Sequence, residues 1–181
     1  MELLIVRHGK TVWNEQKRTQ GRVHNRLCKE GILFSQKTAE ELKNVKIDYI
    51  FSSPLLRSVQ TANIINKYHN KKIIKDERLT DIDQGVFTGR YFESLTQQEL
   101  QIKLSKDKNY GMESLQEMFI RVNDFFEFLK KNYLNSTILI VTHSGVARMV
   151  ELSARYGNFS SENFDKTDTF QNAEIRKIVI M

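Results

Sequence analysis

Short apolar runs alternate with amphipathic stretches along this chain, and this alternation limits the possible fold more than any other feature. The first run, Leu-Leu-Ile-Val at positions 3–6, is typical of a buried central strand. Further runs predict strands at 47–51, 72–75, 137–141 and 175–180. The segments between them predict helices at 30–42, 53–68, 93–104 and 114–131, and a last helix that follows residue 145 and ends near residue 156. Strands that alternate with helices form a mostly parallel sheet covered on both faces. We therefore predict an α/β three-layer sandwich.

The length and composition are those of one folded domain. The chain has 181 residues, of which 40% are hydrophobic and 28% charged, with one proline and no low-complexity tract or linker, so we predict a single domain over 1–181. Cys28 is the only cysteine, which excludes an internal disulfide and a disulfide-stapled secreted fold. No apolar run approaches the roughly 18 residues that span a bilayer, and the first residues enter a strand directly. We expect a cytoplasmic protein without a membrane partner.

The chain is basic, with a formal net charge of +6 and a pI of about 9.4. Charge alone is compatible with nucleic-acid binding or with a cleft that attracts a small acidic molecule. Lysine and arginine are scattered among acidic residues instead of forming one basic stripe, which argues against nucleic acid. We expect a small phosphate ester as partner. The oligomeric state is not predicted, although an edge strand at 175–180 offers a surface for a second subunit.

Four basic side chains follow predicted strands. Arg7 and His8 come directly after the first strand, Arg57 follows the second, and His143 follows the fourth. The carboxyl ends of parallel strands meet at one edge of a sheet, where α/β proteins bind ligands. Two arginines and two histidines without a carboxylate among them favour a bound anion such as a phosphoryl group. Neighbouring arginines also favour neutral imidazole, which leaves a ring nitrogen of His8 free to attack phosphorus.

The dipeptide Ser53-Pro54 predicts a helix start. Serine is a preferred N-cap residue, and proline suits the first helical position, where its missing N–H is not needed. We expect Ser53 to cap this helix, and the helix ends near Asn14 and Pro54 to add backbone donors for an anion.

Several segments in order resemble one family. These are Leu4-Ile5-Val6-Arg7-His8-Gly9-Lys10-Thr11 with Asn14, then Gln20-Gly21, Ser52-Ser53-Pro54-Leu55-Leu56-Arg57-Ser58-Val59-Gln60-Thr61-Ala62, Glu113-Ser114 and Val141-Thr142-His143. Together they resemble the histidine phosphatase superfamily, which includes the phosphoglycerate mutases. The resemblance covers nearly the whole chain and implies a phosphoglycerate mutase-like fold.

The resemblance also implies residue roles. His8 accepts the phosphoryl group, while Arg7, Arg57 and His143 bind its oxygens. Further substrate contacts are implied for Asn14, Gln20, Gly21 and Ser144.

The implied proton donor is Asp81. The family places an acid four residues before a glycine, and in Leu79-Thr80-Asp81-Ile82-Asp83-Gln84-Gly85 that position is Asp81. Asp83 is the alternative donor. For both residues the competing interpretation is structural: the carboxylate only makes hydrogen bonds within a turn. Many relatives carry glutamate at this position and tryptophan where Phe87 stands, which leaves the substrate open. Phe87, Tyr91, Phe92 and Tyr110 are candidates for the outer pocket or for core and surface roles.

Three functions follow as hypotheses. The first is a metal-independent phosphomonoester hydrolase that acts on a small phosphorylated metabolite through a phosphohistidine. The segment 91–111 is short and polar, which favours an open pocket and therefore hydrolysis. The alternatives are a phosphoglycerate mutase-type transfer and a non-catalytic phosphate-binding module. The sequence contains no Walker loop, no dinucleotide fingerprint and no nucleophile elbow around Ser144. Histidines 8, 24, 69 and 143 lack short metal-ligand spacing, so we expect neither cofactor nor metal.

Overall fold

The strands lie where the apolar runs predict them. The computed structural model describes residues 1–180, with strands β1 (Glu2–Arg7), β2 (Tyr49–Ser52), β3 (Ile73–Lys75), β4 (Thr137–Thr142) and β5 (Ile175–Val179). They form a sheet in the order β3-β2-β4-β1-β5. All neighbours pair in parallel except β5, which is an edge strand antiparallel to β1. The predicted α/β fold with a mostly parallel sheet is confirmed.

Helices connect the strands. They are α1 (Val12–Glu15), α2 (Lys29–Leu42), α3 (Leu56–Asn66), α4 (Gln97–Ser105), α5 (Leu115–Tyr133), α6 (Ser144–Tyr156) and α7 (Ser161–Asp165). Short 3₁₀ turns lie at Glu77–Leu79, Gly85–Phe87, Phe92–Ser94 and Lys108–Tyr110. Within residues 1–180, no helix combines the length and the apolar character that crossing a membrane requires.

Alternate residues of β1 belong to two separate cores. Leu3 and Ile5 are buried in a cluster with the apolar faces of α5 and α6. Leu4 and Val6 are buried on the opposite face, in a cluster with α2 and α3. Successive side chains of a strand point to opposite faces, so a run without polar residues requires cover on both sides. The three-layer arrangement follows from this pattern and fixes where the strand ends lie.

The predicted start of α3 is wrong. Its N-cap is Leu55, which makes no side-chain cap hydrogen bond, and the helix begins at Leu56 rather than at Pro54. The Ser53 hydroxyl accepts from the backbone N–H of Leu55 at 3.3 Å, in a turn before the helix, and also lies 2.8 Å from Nε2 of His143. Ser53 therefore combines local turn bonding with a contact to a distant residue.

The loop after β3 is fixed at both ends beside the sheet. The hydroxyl of Thr142, at the end of β4, donates to the carbonyl oxygen of Leu79 at 2.8 Å. Gly85 has a φ of +51°, and a Cβ atom built there would lie 2.0 Å from the carbonyl oxygen of Tyr110. Only glycine fits such a backbone conformation and approach. These contacts hold Asp81, which lies between them, at the carboxyl edge of the strands.

Candidate active site

The predicted basic residues lie together at the carboxyl edge of the sheet. Arg7 is the last residue of β1, His8 follows it, His143 follows β4, and Arg57 lies in the first turn of α3. The ring centroids of His8 and His143 are 5.1 Å apart. Nε of Arg57 lies 3.2 Å from Nε2 of His8. Three separate parts of the chain therefore contribute to one cluster.

The surroundings of His8 define which ring nitrogen is free. Its Nδ1 lies 2.7 Å from the carbonyl oxygen of Gly9, which is an acceptor only, so Nδ1 carries the proton. Its Nε2 faces the Arg57 N–H and therefore acts as an acceptor. Complete burial, followed by the charges of Arg57 and Arg7, holds the pKa of His8 well below its ordinary value. His8 is thus a neutral imidazole with its lone pair on Nε2.

Arg57 is fully buried yet charged, and each of its three guanidinium nitrogens has a protein partner. Besides His8, it donates to the carbonyl oxygens of Val23 and Gly21, each at 2.8 Å. Its NH2 also lies 3.0 Å from Oδ2 of Asp81. Burial lowers the pKa of Arg57, and Asp81 opposes that shift. A carboxylate therefore balances the cluster, which corrects the expectation of a pocket without one.

Arg7 carries an unmet donor. One guanidinium NH group donates to the carbonyl oxygen of Phe170 at 2.6 Å. Its Nε is buried, and no atom of residues 1–180 accepts a hydrogen bond from it. Leaving a charged donor buried and unpaired is costly, so the site favours an anion that can accept this bond.

His143 is held by Ser53. Its Nε2 lies 2.8 Å from the Ser53 hydroxyl, while its Nδ1 lies 3.6 Å from Oδ2 of Asp81 and has no hydrogen-bond partner among residues 1–180. Burial and the charge of Arg57 hold the pKa of His143 well below its ordinary value. Ser53 is a site residue that the sequence analysis assigned to helix capping instead.

The two candidate acids lie in different places. Asp81 lines a cavity of about 340 Å³ together with Arg7, His8 and His143. Asp83 accepts a hydrogen bond from the backbone N–H of Gly85 at 2.9 Å, as a turn residue does, and lines a different cavity. The geometry favours Asp81 over Asp83 as a group that meets a ligand beside His8.

The remaining predicted contacts line the same cavity. They are Asn14, Gln20, Gly21 and Ser144. The hydroxyl of Thr11 donates to Oε1 of Gln20 at 2.9 Å, which fixes that side chain. Thr11 also caps α1, whose third residue is Asn14. Within residues 1–180, no group of three or more His, Cys, Asp or Glu side chains is arranged to hold a metal ion.

Comparison with known proteins identifies the family. The model of the histidine phosphatase superfamily (branch 1) matches residues 3–181. The chain belongs to this superfamily. It is 31% identical over 150 residues to phosphoserine phosphatase 1 of Hydrogenobacter thermophilus, covering 80% of this chain and 71% of that one. It is 34% identical over 153 residues to a probable phosphoglycerate mutase of Enterobacter sp. (strain 638), covering 81% and 71%.

Solved structures share the fold of this chain. A mycobacterial glucosyl-3-phosphoglycerate phosphatase in complex with VO3 superposes with a TM-score of 0.86 over 97% of this chain and 91% of that chain, at 21% sequence identity. The family model confirms the family resemblance predicted from the sequence. A TM-score of 0.79 to phosphoglycerate mutase from Bacillus anthracis str. Sterne, at 20% identity over 98% of this chain and 86% of that chain, confirms the predicted phosphoglycerate mutase-like fold.

This member of the histidine phosphatase superfamily also places residues in the cavity that the sequence analysis missed. Arg18, Gln84 and Lys103 line it. None of them follows a strand, so no local pattern marks them. Among the four aromatic candidates, Phe92 lines the cavity, whereas Phe87 is buried in the fold.

Proposed function

We propose that this protein is a phosphomonoester hydrolase that transfers the phosphoryl group of a small phosphorylated metabolite first to His8 and then to water. The observation that carries the proposal is the state of His8: Nδ1 is tied to the Gly9 carbonyl, so the lone pair is on Nε2, beside the cavity that His8 and Asp81 line. In the unliganded site this lone pair accepts the Arg57 N–H, which turns to the phosphoryl oxygens when Nε2 attacks. Residues 1–181 act as one catalytic domain in this proposal.

The first step forms a phosphohistidine. Nε2 of His8 attacks phosphorus, the bond between phosphorus and the ester oxygen breaks, and its electron pair stays on that oxygen. Asp81 in its carboxylic acid form supplies a proton to the leaving oxygen, so the products are an alcohol and a phosphorylated His8. A bound phosphoryl dianion competes with Asp81 for Arg57 and thereby favours the protonated carboxyl group.

The second step returns His8 to its starting state. Asp81, now a carboxylate, takes a proton from a water molecule whose oxygen attacks phosphorus. The bond between phosphorus and Nε2 breaks, and inorganic phosphate leaves with Asp81 protonated again.

Cationic and neutral donors stabilise the transferring group. The unpaired Nε of Arg7 supplies a donor, and Arg57 supplies charge directly beside Nε2 of His8. His143 presents its unpaired Nδ1 beside Asp81 and completes the set as a neutral ring with its proton on Nδ1. Asn14, Gln20, Gly21 and Ser144 are proposed as further substrate contacts. All steps use side chains of this chain and assign no role to a metal ion or cofactor.

Transfer to a second hydroxyl instead of water is the competing reaction. One relative is named as a phosphoserine phosphatase and another as a probable phosphoglycerate mutase. A mutase must exclude water from the phosphorylated histidine. Release of inorganic phosphate in stoichiometric amount with the alcohol supports hydrolysis, whereas interconversion of phosphoglycerates without phosphate release would contradict it.

The test is hydrolysis of an aryl phosphate in the presence of a chelator. We expect turnover that EDTA does not abolish and that His8→Ala does. His69→Ala serves as the matched control, because His69 lies in the turn after α3 and does not line the cavity. Absence of turnover across a panel of phosphate esters would favour the non-catalytic binding module.

A further inference from the structure

A glutamate with no part in the steps proposed above lies beside the loop that carries Asp81. This loop, residues 78–85, is called the acid loop below. The side chain of Glu113 is only 9% exposed. Nε and Nη2 of Arg121, in α5, donate to its two carboxylate oxygens at 2.6 Å and 2.8 Å. A pair bonded at two points fixes the orientation of both side chains.

This ion pair bonds to the acid loop on both sides of Asp81. Before it, Nη1 of Arg121 donates to the carbonyl oxygen of Arg78 at 2.6 Å. After it, the backbone N–H of Glu113 donates to the carbonyl oxygen of Asp83 at 3.2 Å. Oε2 of Glu113 also accepts from the backbone N–H of Asp83 at 3.4 Å. The pair therefore restrains the backbone that carries the proposed acid.

Arg22 adds a contact from the segment that follows Gly21. Its Nε donates to the backbone carbonyl oxygen of Asp81 at 3.2 Å, and its Nη2 lies 3.3 Å from Oε2 of Glu113. Glu113 thus has two arginine partners, and one of them also binds the peptide group of the proposed acid.

The Asp81 carboxylate depends on this backbone for its place. Its Oδ1 accepts from the backbone N–H of Ile82 at 2.9 Å, and its Oδ2 lies 3.0 Å from Nη2 of Arg57. A bound phosphoryl group competes for Arg57 and weakens that ion pair. The acid loop then has to keep the carboxyl group beside the leaving oxygen.

Glu113 and Arg121 act at a distance from the substrate. Among residues 1–180, neither of them lines the cavity that His8 and Asp81 share. Glu113 lines a different cavity, with Arg22 among its neighbours. Any effect of this ion pair on the reaction therefore passes through the acid loop.

We propose that Glu113, held by Arg121, is the positioning residue for Asp81. It fixes the acid loop so that the Asp81 carboxyl group lies within reach of the leaving oxygen. The proposal rests on the proposed function, because it concerns the proton transfer of that reaction. A general acid works only within hydrogen-bond reach of the atom that it protonates. A displacement of about 1 Å can cost about a hundredfold in rate.

Glu113→Gln tests the proposal with two esters. Glutamine keeps the shape of the side chain and removes its charge, which weakens the contacts with both arginines. We expect kcat/KM for glycerol 3-phosphate, an alkyl ester, to fall by about tenfold to a hundredfold. The value for 4-nitrophenyl phosphate should fall by less than about threefold, because its phenolate leaves without a proton. An ion pair that only stabilises the fold would affect both esters alike.

The double variant Asp81→Asn/Glu113→Gln shows whether Glu113 acts through Asp81. Asparagine cannot serve as the acid, so its placement no longer matters for proton transfer. Adding Glu113→Gln to Asp81→Asn should therefore change kcat/KM for glycerol 3-phosphate by less than about twofold. Losses that multiply in the double variant would contradict action through Asp81.

Glu151→Gln is the matched control. The Glu151 side chain, in α6, is 7% exposed and also has two arginine partners, Arg155 at 2.7 Å and Arg176 at 3.3 Å. The control removes the same charge from an ion pair of the same kind on another element. It should keep the wild-type ratio of kcat/KM between the two esters, and an equal selective loss would overturn the proposal.

The outcomes separate this proposal from the proposed function. If the wild type hydrolyses both esters, equal losses on the two in Glu113→Gln reject the positioning role alone. If Glu113→Gln does not fold, Arg22→Met, at a half-exposed side chain, is measured on the same esters with the same expected selectivity.

If the wild type hydrolyses neither ester, the proposed function fails, and a crystal structure of Glu113→Gln decides the positioning role. Displacement of the Asp81 carboxylate from Arg57 by about 1 Å or more supports the role, since a shift of that size matters for catalysis. Retention of the 3.0 Å distance overturns it.

Discussion

The hydroxyl of Ser53 lies 2.8 Å from Nε2 of His143, although the two residues are 90 positions apart in the chain. Both are buried, so Ser53→Ala leaves Nε2 with only the longer contact to the Ser58 hydroxyl at 3.5 Å and weakens the hold on the ring. We expect the variant to lose about 1–3 kcal/mol of unfolding free energy. Misplacement of His143 should also lower kcat/KM by roughly 10-fold to 100-fold.

Urea unfolding and steady-state kinetics measure both effects. Ser153→Ala is the matched control, because Ser153 is also buried but its hydroxyl has no hydrogen-bond partner among residues 1–180. We expect the control to keep wild-type activity. Wild-type kinetics in Ser53→Ala would contradict an orienting role for Ser53.

Asp81→Asn distinguishes the two candidate acids. It should lower kcat for alkyl phosphates by about 10²–10⁴, since an alkoxide leaves slowly without a proton. The loss should be smaller for an aryl phosphate, whose phenolate leaves without help. Asp83→Asn is the control, because Asp83 serves the Gly85 turn. A larger loss in Asp83→Asn, or equal losses on alkyl and aryl esters in Asp81→Asn, would reject Asp81 as the acid.

Arg57→Lys keeps a positive charge but cannot reproduce the contacts of the guanidinium. Arginine donates at once to His8, Gly21, Val23 and Asp81. Lysine has a single ammonium group, so we expect kcat/KM to fall by about 10²–10³. Arg155→Lys, on the exposed side of α6, is the control in the same kinetic assay. Retention of more than half of the activity in Arg57→Lys would show that charge alone suffices.

The strands were predictable from the sequence because runs of consecutive apolar residues are typical of strands that are buried on both faces. The run at 137–141 became β4, which lies between β1 and β2, and the run at 3–6 became β1. The co-location of His8, Arg57 and His143 followed from parallel topology, since each comes at a strand's carboxyl end.

What the sequence did not reveal depends on contacts between distant residues. Ser53 has the local signature of a helix cap and does bond the nearby Leu55 N–H, but its second partner, His143, is visible only in three dimensions. Arg18 and Lys103 reach the cavity from segments without a strand or a motif. The sequence identified Asp81 as a candidate acid. Its ion pair with Arg57 could not be predicted, because it depends on how the loop after β3 folds.

The two site histidines predict an acid-sensitive fold. Their pKa values are held well below the ordinary value, so the folded state stays unprotonated where unfolded histidines, titrating near about 6.5, take up protons. The unfolded state then binds more protons, and stability falls as pH drops below about 6.5. The slope is at most about 1.4 kcal/mol per pH unit for each histidine.

Urea unfolding at several pH values between about 7 and 5 measures this dependence. His8→Asn removes one of the two groups and should make the slope shallower. Identical slopes in the wild type and in His8→Asn would contradict the assignment of a neutral, buried His8.

The most direct test of the account is to trap the phosphoenzyme. Rapid mixing with a phosphate ester, an alkaline quench that preserves phosphohistidine, and peptide mass spectrometry locate the phosphoryl group. We predict one phosphorylated site, Nε2 of His8, that appears within the first turnover and disappears in His8→Ala. A phosphoryl group found on any other residue, or turnover without a phosphorylated enzyme, would contradict the account.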